Sequence, residues 1–326
     1  MPTEGPQPQA KSSWLRGQYG TYIGLTSVLL GMILLFGWMS EYFITVETFV
    51  TIANQIPALT VMAIGMTFVL IIAGIDLSVG SVLALSAAVT ANAILQWKWG
   101  VPAAAVLGLM AGLLCGAVTG AISVVWRLPS FIVSLGMLEA VRGGAYLVTD
   151  SRTQYVGSAI SGLAKPLIGG ISSAFILALV LVVIAQFILT KTVFGRYTIG
   201  IGTNEEAMRL AGVDPRPIRI IVFAATGLLA GLAGLMQSAR LEAADPNAGS
   251  GIELQVIAAV VIGGTSLMGG RGSVVNTFFG VLIIAVLEAG LAQIGASDPT
   301  KRIITGCVIV VAVIVDTLRQ RRTLAQ

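Results

Sequence analysis

Ile171-Ser-Ser-Ala-Phe-Ile-Leu-Ala-Leu-Val-Leu-Val-Val-Ile-Ala-Gln-Phe-Ile-Leu189 carries no charge along its whole length. About 20 mostly apolar residues in helical form cross the hydrocarbon core of a bilayer. Only helices and closed barrels satisfy every backbone N–H and C=O in lipid, so this run reads as a membrane helix. Comparable runs occupy 21–39, 51–73, 78–95, 101–125, 129–148, 218–238, 252–268, 274–292 and 303–318. The expectation is an all-α polytopic membrane protein of about ten transmembrane helices. It divides into a tail 1–20, a membrane domain 21–318 and a tail 319–326.

The composition agrees. The 326 residues are 56% hydrophobic and 10% charged, against roughly 25% charged in a soluble domain. Mean hydropathy is +0.92. The 39 glycines fit closely packed membrane helices. A signal peptide would have a shorter apolar core and a small-residue cleavage site, so 21–39 is expected to be a retained first helix. With no His in the chain, the commonest metal ligand and proton shuttle is missing. Cys115 and Cys307 lie within apolar runs and read as buried free thiols. No catalytic group and no metal site is expected. Basic residues at the ends of apolar runs explain the net charge of +4 by membrane orientation rather than by nucleic acid. An N-terminus placed in the cytoplasm puts most of the 19 Lys and Arg inside, including Arg127, Lys191, Arg196, Arg209, Arg216, Arg219 and Arg271. An even span count returns Arg319, Arg321 and Arg322 to that side, so both termini are expected to be cytoplasmic. Two Gly-rich turns, Gly74–Gly80 and Gly263–Gly272, then fall inside as well. They fit either an internal duplication or two independent hairpins.

The inside segment 190–217 holds the most informative signal. Thr203 and Glu206 have capping-box spacing, Glu205 and Glu206 suit the positive end of a helix dipole, and Gly212 followed by Pro215 provides a stop. A short helix over 204–211 follows. At roughly two turns it needs support from the membrane domain or a partner. It reads either as a stub between spans or as a peg for a cytoplasmic protein, with Ala207, Met208, Leu210 and Ala211 on its apolar side and Arg209 at the rim.

This segment resembles the coupling loop of ABC importer permeases. Glu206-Ala207-Met208, three residues and Gly212 are similar to their E-A-A-x3-G pattern, with Met for the second Ala. The downstream I-x-L-P element is absent; Val222 to Ala225 stand in its place. Ala63–Thr67, Gly74–Gly80, Asn204–Gly212, Asp245-Pro-Asn-Ala-Gly249, Ala258–Ser266 and Gly269–Ser273 resemble, in order, the branched-chain amino acid and monosaccharide permease superfamily, and within it the ribose-type sugar permeases. The resemblance implies a permease subunit in the bacterial inner membrane, with Thr203, Asn204, Glu205, Glu206, Ala207, Met208, Arg209, Leu210, Ala211 and Gly212 as the coupling helix. It implies a second permease subunit (the same chain or a related one), a cytoplasmic ABC ATPase, an external solute-binding protein and surrounding lipid. No G-x-x-x-x-G-K-[ST] loop is present, so ATP is expected on the ATPase chain and no cofactor on this one.

Polar side chains inside spans are costly and are candidate pathway groups. Asn54, Gln55, Glu139, Gln237, Gln255 and Glu288 are the selected set, either exchanging hydrogen bonds with sugar hydroxyls or bonding helix to helix. Arg152, Lys165 and Arg240, at outside ends, are candidates for docking the binding protein. Asp76 lies at a membrane edge, where Asp76 or Ser78 can cap the next helix. An ion-coupled secondary transporter using Glu139 or Glu288 is the alternative; a membrane enzyme lacks a nucleophile setting.

Overall fold

The structure is a computed structural model describing residues 10–324. In chain order the helices are α1 (Ala10–Met39), α2 (Val46–Gln55), α3 (Pro57–Ile71), α4 (Val79–Leu95), α5 (Val101–Val125), α6 (Ser130–Val148), α7 (Ser173–Lys191), α8 (Val193–Thr203), α9 (Glu205–Leu210), α10 (Pro215–Leu241), α11 (Ile252–Ile262), α12 (Val274–Gln293) and α13 (Asp298–Leu324). Among the described residues, six helices are long and apolar enough to cross a membrane: α1 through its Tyr22–Met39 part, α5, α6, α7, α10 and α12. The α2–α3 pair makes a seventh if counted as one broken span. Helix runs on beyond the apolar stretches at both chain ends, so 10–20 and 319–324 are helical; 1–9 and 325–326 lie outside the described residues.

Three apolar stretches take shapes that differ from a plain span. The 51–73 run bends by 48°. Ile56 closes α2 and opens α3, and Pro57 at the first position of α3 has no N–H to continue the ladder. The 252–268 run stays helical only to Ile262, because Gly264 turns the chain at φ +85°. With 11 residues, α11 rises about 16 Å, and α4 with 17 residues about 26 Å, both short of a hydrocarbon core of about 30 Å. Nor is the Gly74–Gly80 turn a surface hairpin: Gly74, Asp76, Ser78 and Gly80 are buried. Gly80 packs on the carbonyl of Gly249, just ahead of α11. The N–H groups of Ile75 and Leu77 donate to Ser130 Oγ and Ser134 Oγ of α6, at 2.9 and 3.0 Å.

The centre of the bundle is α10 against α5. Gly108, Gly112, Gly116 and Gly120 recur every fourth residue of α5 and are buried along one stripe. Gly112 lies against the carbonyl of Gly227, and Gly116 against that of Phe223. A Cβ at Gly112 would also sit 3.1 Å from Gly231 Cα. The two backbones are in direct contact, as in small-residue membrane pairs. α10 reaches α3 and α4 from the same position. All of α3, from Pro57 to Ile71, is buried, as expected of a helix apolar on every side.

Short strands organise the polar 149–170 segment. Gln154–Tyr155 (β1) pairs antiparallel with Ala243–Ala244 (β4), and Pro166–Ile168 (β2) pairs antiparallel with Ile171–Ser172 (β3). A 3-10 turn spans Gly157–Leu163. Both cysteines are free, but Cys115 is only half-buried and Cys307 is exposed, so burial does not hold for Cys307.

The glycine contact gives a direct test. Gly112→Ala must push α5 off α10, because a backbone carbonyl faces the new methyl. It should cost about 1–3 kcal/mol and lower the thermal midpoint of the purified protein. Gly136→Ala, with open space around its Cβ, should be neutral or gain up to about 1 kcal/mol in helix propensity. Equal midpoints for the two variants would show that α5 and α10 do not need this contact.

Candidate functional site

Thr192 opens α8, its Oγ1 accepting from the Gly195 N–H at 3.2 Å. The helix continues through Thr203, whose hydroxyl donates back to the Ile199 carbonyl at 2.8 Å. A capping residue needs a non-helical backbone, so the capping role expected of Thr203 passes to Asn204. At φ −160° and ψ 98°, Asn204 accepts the Ala207 N–H on Oδ1 at 2.9 Å. The stop falls where expected. Gly212 sits at φ +83°, and the Val213 N–H reaches the Met208 carbonyl at 3.0 Å, a Schellman closure. Asp214 then caps α10 through the Arg216 N–H at 3.0 Å.

α9 is six residues long and has no buried residue. Two devices hold it. Glu205 pairs with Arg209 of its own helix and with Arg219 of α10, each at 2.7 Å. Met208 folds back over Gly200 of α8, so of the apolar side chains Ala207, Leu210 and, just past the helix, Ala211 remain exposed, Leu210 at 83%. α8 is itself seated on the bundle. Gly202 lies against the Ile71 carbonyl at the end of α3, and the same carbonyl accepts the Gly270 N–H at 2.8 Å. Thus α9 hangs from α3, from the Gly263–Gly272 turn and from α10 together.

Five of the six polar pathway candidates line two neighbouring cavities. One, of about 210 Å³, is bounded by Asn54, Gln55, Gln237 and Arg240. The other, of about 710 Å³, is bounded by Gln55, Gln255 and Glu288, with Glu47, Gln293 and Lys301 around them. Gln55 at the end of α2 belongs to both. The Gln255 amide donates to Glu288 Oε1 at 2.7 Å, joining α11 to α12. Asn54 is fully engaged: its amide N–H donates to the Gly170 carbonyl at 2.9 Å and its Oδ1 accepts the Ser172 N–H at 2.8 Å. Glu139 is exposed on α6 and borders neither cavity. Of the docking candidates, Arg152 and Lys165 are exposed in the 149–170 segment. Arg240 lines the smaller cavity and donates to Gln237 Oε1 at 3.3 Å.

Three polar groups matter more than sequence reasoning shows. Asp76 is 1% exposed and accepts from the Ser78 N–H at 2.9 Å and the Ser78 hydroxyl at 2.6 Å. Burial raises its pKa above the usual carboxylate value, against the pull of those two bonds. Arg142 of α6 donates to the carbonyls of Pro246 and Ala248, both at 2.7 Å, holding the loop before α11. Gln186 of α7 accepts from the Val274 and Val275 N–H groups at 2.8 and 3.2 Å, satisfying two free donors at the start of α12. No group of three or more His, Cys, Asp or Glu able to hold a metal occurs among the described residues.

Comparison with known proteins gives the family. A model described as "Branched-chain amino acid transport system / permease component" matches residues 48–313. The ribose import permease protein RbsC of Escherichia coli is 40% identical over 90% of this chain and 92% of its own length. The ribose import permease protein RbsC of Bacillus subtilis is 35% identical over 97% of this chain and 98% of its own. The D-allose transport system permease protein AlsC of Escherichia coli is 34% identical over 92% of each. No solved structure matches. The chain belongs to the permease-component family of the branched-chain amino acid transport system.

Proposed function

We propose that this chain is the membrane-spanning permease subunit of an ATP-driven monosaccharide importer in the bacterial inner membrane. The observation that carries the reading is the 40% identity to a ribose import permease over 90% of the chain. Likeness to an allose permease widens the substrate class to pentoses and hexoses. The subunit is not an enzyme. ATP binds to a separate cytoplasmic ATPase, an external binding protein delivers the sugar, and a second permease subunit completes the pathway.

The topology has about ten spans with both termini cytoplasmic. The ten apolar stretches are mostly helical, with 51–73 broken between α2 and α3 and 252–268 leaving α11 at Ile262, and an even count keeps the basic C-terminal end on the N-terminal side. Thr203→Cys in a Cys-free background should react with an impermeant thiol reagent only in inverted vesicles; labelling in intact cells would reverse the orientation.

Residues 203–212 are the coupling segment. ATPase closure can move the permease only through its cytoplasmic surface, and α9 presents exposed Ala207 and Leu210 there while Glu205 ties it to α10. Ala207→Trp should overfill the ATPase groove. Gly212→Val should strain the left-handed stop by roughly 1–2 kcal/mol. Both should insert normally yet fail either to co-purify with the ATPase or to couple hydrolysis to uptake in liposomes. Normal assembly and transport by both variants would remove the segment from the coupling role.

The paired cavities are the sugar path. Their Gln and Glu side chains exchange hydrogen bonds with hydroxyls, and Gln55 stands where the two meet. Gln55→Leu should cut sugar uptake by about 5-fold, the equivalent of one hydrogen bond of about 1 kcal/mol, with ATPase assembly unchanged. Uptake at the wild-type rate in reconstituted liposomes would place the path elsewhere.

A further inference from the structure

At the end of the bundle that carries α9, four arginines meet around one recess. A cavity of about 260 Å³ is bounded by Arg127 and Leu128 after α5, Glu205 and Arg209 of α9, and Arg216 and Arg219 in the first turns of α10. One carboxylate faces four guanidinium groups. Glu205 is taken up by Arg209 and Arg219. The side chains of Arg127 and Arg216 have no protein partner among the described residues. The Nε of Arg219 is buried without an acceptor. The recess therefore carries excess positive charge and unused N–H donors, the chemistry that takes a phosphate oxyanion through forked guanidinium bonds.

The surroundings favour one source of that phosphate. Val125 and Trp126, immediately before Arg127, are 66% and 65% exposed, and Leu128 is 45% exposed. Ile221, one short step into α10 from Arg219, is 51% exposed. Apolar and aromatic side chains thus lie open beside the arginines, at the ends of two membrane-crossing helices. A free anion has no use for this apolar rim. A lipid does: its acyl chains follow the apolar face while its headgroup reaches the basic pocket, and Trp sits preferentially at that depth.

The geometry points to this recess as a site for the phosphodiester headgroup of an anionic phospholipid. The bound phosphate would bridge the α5–α6 junction to α9 and α10, which are themselves joined there through Glu205. Lipid capture itself does not depend on the transport reading; its effect on the coupling segment rests on it.

The test uses the purified full chain without any ATPase. After delipidation, the permease is titrated with phosphatidylglycerol, with phosphatidylcholine and with inorganic phosphate, and bound lipid is read by native mass spectrometry. Wild type should retain one phosphatidylglycerol under conditions that strip phosphatidylcholine, and millimolar inorganic phosphate should not displace it. R127Q/R216Q should bind phosphatidylglycerol at least tenfold more weakly, with an unchanged elution profile. Should that pair fail to fold, R216Q alone, altering an exposed side chain, should still weaken binding several-fold. Equal retention by wild type and variant overturns the site. Full displacement by inorganic phosphate overturns the lipid assignment. Failed lipid capture leaves the Ala207 and Gly212 experiments unaffected, so the two readings fail separately.

Discussion

Backbone-to-backbone contact between α5 and α10 is the constraint on which the bundle rests. Lipid supplies no hydrophobic drive to bring helices together, so close packing and buried polar bonds must do so. Gly112, Gly116 and Gly227 let two helices approach until carbonyl oxygens meet α-carbons. With α10 fixed there, its other faces close over α3 and α4, and α3 disappears from the surface altogether. The same α10 begins directly behind the α9 turn, and its Arg219 holds Glu205. Thus the helix that packs on α3, α4 and α5 at once is also joined to α9, a short helix with no buried residue. A displacement of α9 meets a rigid element at once rather than a yielding loop.

The helices were legible in the sequence because lipid leaves so few choices: an uncharged run long enough to span must be helical. What the runs do not reveal is how they break. The bend at Ile56 could be read from Pro57, whereas the burial of the Gly74–Gly80 turn could not, because its carriers, Ser130 and Ser134, are far along the chain. α8 escaped notice for a different reason. Gly195, Gly200 and Gly202 argue against a helix by propensity, yet each glycine serves a close approach, with Gly202 pressed on the Ile71 carbonyl. Once α8 extends to Thr203, the cap must move to Asn204. The α5 stripe is visible as a spacing of four, but only the fold names its partner.

The candidate pathway was legible in chemistry more than in direction. Spans that are apolar all round carry no mark of which face is inward. Gln55, Gln237, Gln255 and Glu288 were selected for polarity alone, and they meet because α2, α10, α11 and α12 converge around the cavities. Glu139 satisfied the same criterion and lies on an exposed face. Asp76 was passed over for its place near a helix end, although it is among the most buried charged groups described.

The fork of Arg142 on the Pro246 and Ala248 carbonyls bears on how this protein can be engineered. Surface connections generally accept insertions, because their backbone answers only to water. The connection between α10 and α11 is not of that kind: two of its carbonyls belong to another helix, and its Gly249 is packed on Gly80. An epitope or reporter spliced between Asp245 and Gly251 would have to dismantle those attachments. The turn Gly157–Leu163, although exposed at Ser158, Ala159 and Gly162, is not free for foreign sequence either, because Ile160 within it is buried in a cluster with Ala87 and Ala91 of α4 and Leu235 of α10.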